Sequence, residues 1–448
     1  MLKNPLTSKI IMLAILALLL LIPLGMIQSK ISERQHLQRQ VQQDIARSSS
    51  GPQTLGGPSL VIKYKLRERY TSKDKDGNER VTISESDLKE LVVPPNKLKI
   101  NGDADVETRN RGIYKANLFN LHAKVSGDVL VPRGYGINRV IADIIPVSAH
   151  FVTNVSDARG IHNVPTLTLN DKMLEFSPGT ISPMAGNGMH VKLGTLDASE
   201  AHSFKFNFPL ELQGMDTFSI FPSGNHTEVT LKSSWPHPSF GGGYLPHTRT
   251  ISENGFSAQW SVSNLARNSG TRDNNVQNTP ETFSVGFIDP VNVYLLSERA
   301  VKYGILFVVL IFTAFFIFEI LQGMRIHPMQ YLLVGMAMAV FFLLLISLSE
   351  HLTFLISYLL SGAACVALIG SYLIGVLKKR KSALSFTAGI ALLYAVLYGV
   401  LQSEDNALLM GSLTMFSALA AVMLLTRNMN WYELNSPTVM NSSPVTNE

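Results

Sequence analysis

The chain has 448 residues, 46% of them hydrophobic and 16% charged, with a formal net charge of +5 and an isoelectric point of about 9.1. A basic balance of this kind suggests nucleic acid, but the excess sits beside apolar stretches while the polar middle of the chain is nearly neutral, so nucleic-acid binding is not expected. The single cysteine, Cys365, falls within an apolar stretch, which excludes disulfides, thiol nucleophiles and cysteine metal sites from the polar middle.

Residues 10–27 carry no charge and are long enough to cross a hydrocarbon core of roughly 30 Å at about 1.5 Å per helical residue. Ile27-Gln28-Ser29-Lys30 is a poor cleavage site and no cysteine stands nearby for lipid attachment, so residues 1–29 read as an uncleaved transmembrane anchor. Over 30–51, Leu37, Val41 and Ile45 recur every four residues among polar neighbours, which predicts a helical stalk lifting the next domain off the membrane. Ser48-Ser49-Ser50-Gly51-Pro52 stops it.

Beyond Pro52 the apolar period becomes two. Phe119, Leu121, Ala123 and Val125 alternate with polar residues, as do Phe204, Phe206, Phe208, Leu210 and Leu212. Further runs of the same pattern follow at Val229 and Leu231, at Phe256, Ala258, Trp260 and Val262, and at Phe283, Val285 and Phe287. Turn clusters such as Asn101-Gly102 and Ser223-Gly224-Asn225 fall between strands, so residues 52–300 are expected to form a mainly-β, sandwich-like domain. Residues 71–80 and 264–279 lack a core pattern and are expected as surface excursions.

Five more apolar stretches follow at 303–321, 331–348, 352–377, 383–401 and 407–426, and Glu319 is their one charge. They predict a five-helix bundle over 301–427, ahead of a polar tail, 428–448, with the composition of a disordered segment. Lys3, Lys9, Arg325, Lys378-Lys379-Arg380-Lys381 and Arg427 flank the spans on one side; Glu350 and Glu404-Asp405 occupy opposite hinges. The positive-inside rule then puts both termini in the cytoplasm and residues 30–300 in the periplasm of a multi-pass inner membrane protein. The fold class expected is a membrane protein of six transmembrane α-helices, one N-terminal and five C-terminal, with a large mainly-β periplasmic domain.

Chemistry is sparser. Trp235-Pro236-His237-Pro238-Ser239-Phe240-Gly241-Gly242-Gly243-Tyr244 is dense in aromatics, prolines and glycines; it reads as a stiff crossover loop plugging the sandwich, with a rigid ligand contact through Trp235, His237, Phe240 and Tyr244 as the sharper alternative. Asp157 and Arg159 read as a structural ion pair holding a turn, or as a partner-binding pair. His226, His237 and His247 show no metal-ligand spacing, and no metal, cofactor or catalytic residue is expected. Glu319, Glu350 and His351 are placed at the membrane surface, so a buried carboxylate relay for ion-coupled transport is not expected.

Several segments together resemble the CreD family of bacterial inner membrane proteins: Ser50-Gly51-Pro52-Gln53, Ser156-Asp157-Ala158-Arg159-Gly160, Trp235-Pro236-His237-Pro238-Ser239-Phe240, Gly255-Phe256-Ser257-Ala258-Gln259-Trp260, His327-Pro328-Met329-Gln330-Tyr331-Leu332-Leu333-Val334-Gly335, Ser349-Glu350-His351 and Trp431-Tyr432. Asn430 stands where the family has an acid. The resemblance implies a Gram-negative inner membrane protein tied to envelope integrity and to a stress regulon answering carbon source and wall-targeting antibiotics, with no established reaction. A non-enzymatic factor binding an envelope protein or wall component is the first expectation. A transporter or lipid-handling protein for an uncharged or lipid substrate, using Ser361, Gly362, Gly370 and Gly375, is the second, and a wall hydrolase a third. Oligomeric state stays open.

Overall fold

The computed structural model describes residues 5–73, 79–181, 187–267, 281–289, 292–322, 326–377, 380–403 and 406–427. The excursion residues 74–78 and 268–279, the hinge residues Arg325, Lys378, Lys379, Glu404 and Asp405, and the tail with Asn430 and Trp431-Tyr432 lie outside them. Two compact units emerge: Gln38–Pro290, and Met1–Leu37 together with Val291–Glu448.

In the first unit, one sheet is built from β1 (Gln53–Lys73), β2 (Glu79–Glu85), β3 (Lys89–Val93), β6 (Ile144–Val155), β9 (Ser177–Pro178), β10 (Gly188–Gly194), β12 (Thr217–Ile220), β14 (Pro238–Gly242) and β17 (Phe283–Phe287). The other contains β4 (Lys97–Arg111), β5 (Tyr114–Val131), β7 (Thr166–Leu169), β8 (Lys172–Glu175), β11 (His202–Met215), β13 (His226–Ser233), β15 (Thr248–Ser252) and β16 (Gly255–Ser263). Their orders are β14-β17-β12-β1-β6-β10-β9, with β2 and β3 also on β1, and β15-β16-β13-β4-β5-β11-β7-β8. Pairing is antiparallel except between β1 and β12 and between β4 and β13.

Alternation along β5 and β11 sends one row of apolar side chains inward, and the two rows meet residues of the opposite sheet. Phe151 of β6 lies 5.0 Å from Phe206 of β11, and Phe119 of β5 lies 5.1 Å from Phe287 of β17, ring centre to ring centre. Each such fully buried ring stabilises the fold by about 1.5–3 kcal/mol of transfer free energy. The unit is a β-sandwich.

A helix, α2 (Leu21–Ser48), runs up to it. Val41, Ile45 and Ala46 pack on Ala116, Leu118 and Met215, so this end of the expected stalk lies against the sandwich. A narrow apolar stripe explains why: it has no other surface on which to leave water.

The second unit contains α1 (Pro5–Leu19), the first part of α2, α3 (Val293–Leu321), α4 (Pro328–Ser349), α5 (Phe354–Leu377), α6 (Arg380–Gln402) and α7 (Ala407–Thr426). Among the described residues six helical stretches are long and apolar enough to cross a membrane, one near the N-terminus and five after the sandwich. His327 opens α4 as a capping box: its Nδ1 accepts from the Met329 amide at 3.2 Å, the Gln330 side chain accepts from the His327 amide at 3.1 Å, and Pro328 takes the first helical position. Gly335 lets α4 pack closely, since a Cβ there would stand 2.3 Å from Leu20.

Candidate functional site

The Ser50–Gln53 and Ser156–Gly160 segments fold onto each other. Gln53 Nε2 donates to the Asp157 carbonyl at 2.8 Å and to the Gln213 carbonyl at 3.1 Å, while its Oε1 accepts from the Asp157 amide at 3.2 Å and from Ser156 Oγ at 3.1 Å. Ser50 Oγ donates to the Gln213 carbonyl at 2.7 Å. Arg159 pairs with Asp157 at 2.6 and 2.9 Å and also donates to the Arg47 and Ala46 carbonyls at 2.5 and 3.4 Å, so its guanidinium caps the C-terminal end of α2. That guanidinium, with the Arg159 and Gly51 amides, holds the Asp157 carboxyl below its ordinary range against the opposing effect of burial. Gly160 is needed for the fit: a Cβ there would stand 2.2 Å from the Gln213 carbonyl oxygen. Of the two readings of Asp157 and Arg159, the geometry matches the structural ion pair, extended to a helix cap.

Pro238–Gly242, expected as loop, is the edge strand β14. An edge accommodates Pro238 at the strand's first position, where a missing N–H costs nothing. Phe240 packs edge-on against Phe256 and Trp260 at 5.6 and 5.9 Å, and Tyr244 against Phe283 at 5.8 Å. Trp235 is half-buried against the core, and its indole N–H donates to the His237 and Ile288 carbonyls at 3.1 and 3.2 Å. These three aromatics plug the sandwich; His237 is exposed. Among the described residues no group of three or more His, Cys, Asp or Glu is arranged to hold a metal.

A polar groove absent from the sequence reading lies on the eight-stranded sheet. Asp105, Asn120, His122, His162, Glu211 and Gln213 line about 350 Å³ there. Its shape follows from Pro209, which cannot donate and so limits the pairing of β7 to Phe206 and Asn207 of β11. Beyond it Asn163 substitutes for a strand, accepting from the Glu211 amide at 3.0 Å and donating to the Pro209 carbonyl at 3.3 Å; the His162 amide donates to the Glu211 carbonyl at 3.0 Å. His122 Nδ1 stands 3.8 Å from Glu211 Oε1. The groove thus gathers two imidazoles and two carboxylates beside the Gln213 amide, which is already bonded to Asn120 Oδ1 at 2.9 Å and Ser49 Oγ at 2.8 Å, and the imidazoles and carboxylates are suited to hydrogen bonding with polar, amine- or hydroxyl-bearing groups. One signal was available: His122, Asn120, Glu211 and Gln213 are the outward members of the two clearest alternating strands.

In the helical unit the side chain of Glu319, expected at the membrane surface, is only 6% exposed within the protein. It pairs with Lys9 of α1 and accepts from the Tyr331 hydroxyl at 2.8 Å and the Ile326 amide at 2.9 Å. Glu350 is likewise drawn inward, 3.3 Å from Arg34 Nε and accepting from the Tyr294 hydroxyl at 3.4 Å, while His351 is exposed. Ser361 bonds back to the Ser357 carbonyl of its own helix, and Gly370 lets α5 and α6 approach closely, since a Cβ there would stand 2.8 Å from Thr387.

The chain resembles known proteins along its whole length. Residues 5–432 match the model of the family described as inner membrane protein CreD. The inner membrane protein CreD of Escherichia coli K12 is 38% identical, the alignment covering 100% of this chain and 98% of that protein. Among solved structures, an M1 zinc metallopeptidase of Deinococcus radiodurans aligns over 43% of this chain and 42% of its own at 11% identity, with a TM-score of 0.22 that carries no argument. With its six apolar helices and its sandwich, this chain belongs to the CreD family of inner membrane proteins.

Proposed function

We propose that the protein is a non-enzymatic inner membrane factor supporting envelope integrity or the envelope stress response, both termini cytoplasmic, whose periplasmic β-sandwich binds an envelope protein or wall component. The observation carrying this reading is the groove at His122, His162 and Glu211, whose hydrogen-bonding groups face outward from a rigid sheet. Wall components are rich in amides, amines and hydroxyls, the chemistry that this lining complements. Trp235 and Phe240 pack on the sandwich core, Asp157 and Arg159 hold the end of α2, and none of the four is assigned to the partner.

The test is capture from detergent-solubilised membranes, comparing the full chain, a chain lacking residues 38–290, and His122→Ala/Glu211→Ala, with retained proteins and glycans identified by mass spectrometry. Retention is expected to vanish without the sandwich and to fall about tenfold in the double variant, the effect of losing ~1.4 kcal/mol of contact. His237→Ala is expected to leave envelope phenotypes intact. Retention indifferent to both deletion and double substitution would overturn the reading.

A further inference from the structure

The helices α3, α6 and α7 line an open apolar groove of about 430 Å³. Its walls include Ile317 and Phe318 of α3, Phe386 and Leu393 of α6, and Val422 and Leu425 of α7. Three observations bear on what fills it. First, α7 is loosely held: none of the residues Leu409–Thr426 is buried, although close packing is the norm for a helix seated in a bundle. Second, α6 presents Gly389 to the groove, and a Cβ there would meet nothing within 4 Å. Third, the walls lie wholly inside the apolar spans, where the molecules available to occupy space are hydrocarbon chains.

One end of the groove, where α6 begins and α7 ends, is marked by charge. Arg380 and Lys381 open α6 and are exposed; Ser385 in the groove wall is five residues on, about 7.5 Å along the axis at 1.5 Å per residue. Arg427, also exposed, caps α7 two residues beyond Leu425. Glu319, the acid next to Phe318, does not oppose this, because its carboxylate is buried and taken up by Lys9, Tyr331 and the Ile326 amide.

We propose that this groove holds one acyl chain of an anionic phospholipid from the adjacent leaflet, with its phosphate at Arg380, Lys381 and Arg427. The lipid is a resident ligand seating α7 against α3 and α6. Its volume is in the range of small-molecule sites, about 300–1,000 Å³. The apolar wall alone would take any lipid; the three cations supply the preference for an anionic headgroup.

Native mass spectrometry of the full chain, released from detergent with phosphatidylglycerol or with phosphatidylcholine of the same acyl chains, tests it. Phosphatidylglycerol is expected to be retained about tenfold better. Gly389→Leu, which fills the groove, is expected to abolish that retention, and Ala421→Leu on α7 is the second filling variant should the first fail to fold. Arg380→Ala/Lys381→Ala/Arg427→Ala is expected to erase the preference between the two lipids. Equal retention of both lipids by the unaltered chain, or undiminished retention in a folded filling variant, overturns the proposal. So does a dimer that the filling variant converts to monomer, since the occupant would then be a second copy.

Discussion

His150 illustrates how a single residue can carry a pH dependence. It stands on β6, only 6% exposed, with no partner for Nδ1 among the described residues, and its ring lies 5.8 Å from that of His190. Burial, then His190, Lys63 and Lys192, hold its imidazole below the ordinary range. The unfolded chain therefore takes up a proton near the ordinary value of about 6.5 while the folded chain still refuses it, so stability present above that pH is lost as pH falls toward the folded value. Thermal unfolding of the sandwich is expected at a lower temperature at pH 5.5 than at pH 7.5, and His150→Gln should flatten that difference; an unchanged slope in the variant would exclude His150 as its source. This residue was silent in the sequence, because alternation places it on a nominally outward face and nothing local shows that the face is covered. Arg159 was half legible: its pairing with Asp157 follows from spacing, whereas its second partner, the end of α2, lies more than a hundred residues earlier.

Among elements, the anchor helix gains its place through polar contacts at both of its ends. Lys9 of α1 meets Glu319 of α3, which Tyr331 of α4 also holds, and Arg34 of α2 meets Glu350 at the end of α4. In a setting where apolar faces are as content with lipid as with each other, such contacts select one arrangement. Lys9→Met or Glu319→Gln alone leaves the other group poorly partnered, whereas the double variant leaves neither. A double-mutant cycle on thermal unfolding in detergent is expected to show a coupling of about 1–3 kcal/mol, with the double variant more stable than the sum of the singles implies. Strict additivity would mean that the pair contributes only its separate packing. The spans could be read from composition, and Lys9 counted toward topology, but the partner of Glu319 could not: 310 residues separate it from Lys9, and only packing brings them together.

For the whole molecule, what sequence reveals is divided by the range of the interaction. Period-two runs at Phe119 and Phe204 onward identify β5 and β11, and charge-free runs identify the spans, because both are local consequences of which solvent each face meets. Strand order is not local: β1 pairs in parallel with β12, Gln53 opposite Phe218, and β4 in parallel with β13, Lys97 opposite His226. No periodicity encodes those partners. The same division of ranges determines how the chain should unfold. The core of the sandwich is drawn entirely from residues within 38–290, large enough to be stable without disulfides, whereas the helical unit depends on packing in a membrane-like solvent. Calorimetry of the full chain is therefore expected to show two transitions. One should coincide, within a few degrees, with that of the isolated 38–290 fragment and ignore the choice of detergent; the other should move with detergent chain length. A single transition shifting as a whole would mean that the two units share their stability, and the sandwich would then have to be studied only with its membrane bundle attached.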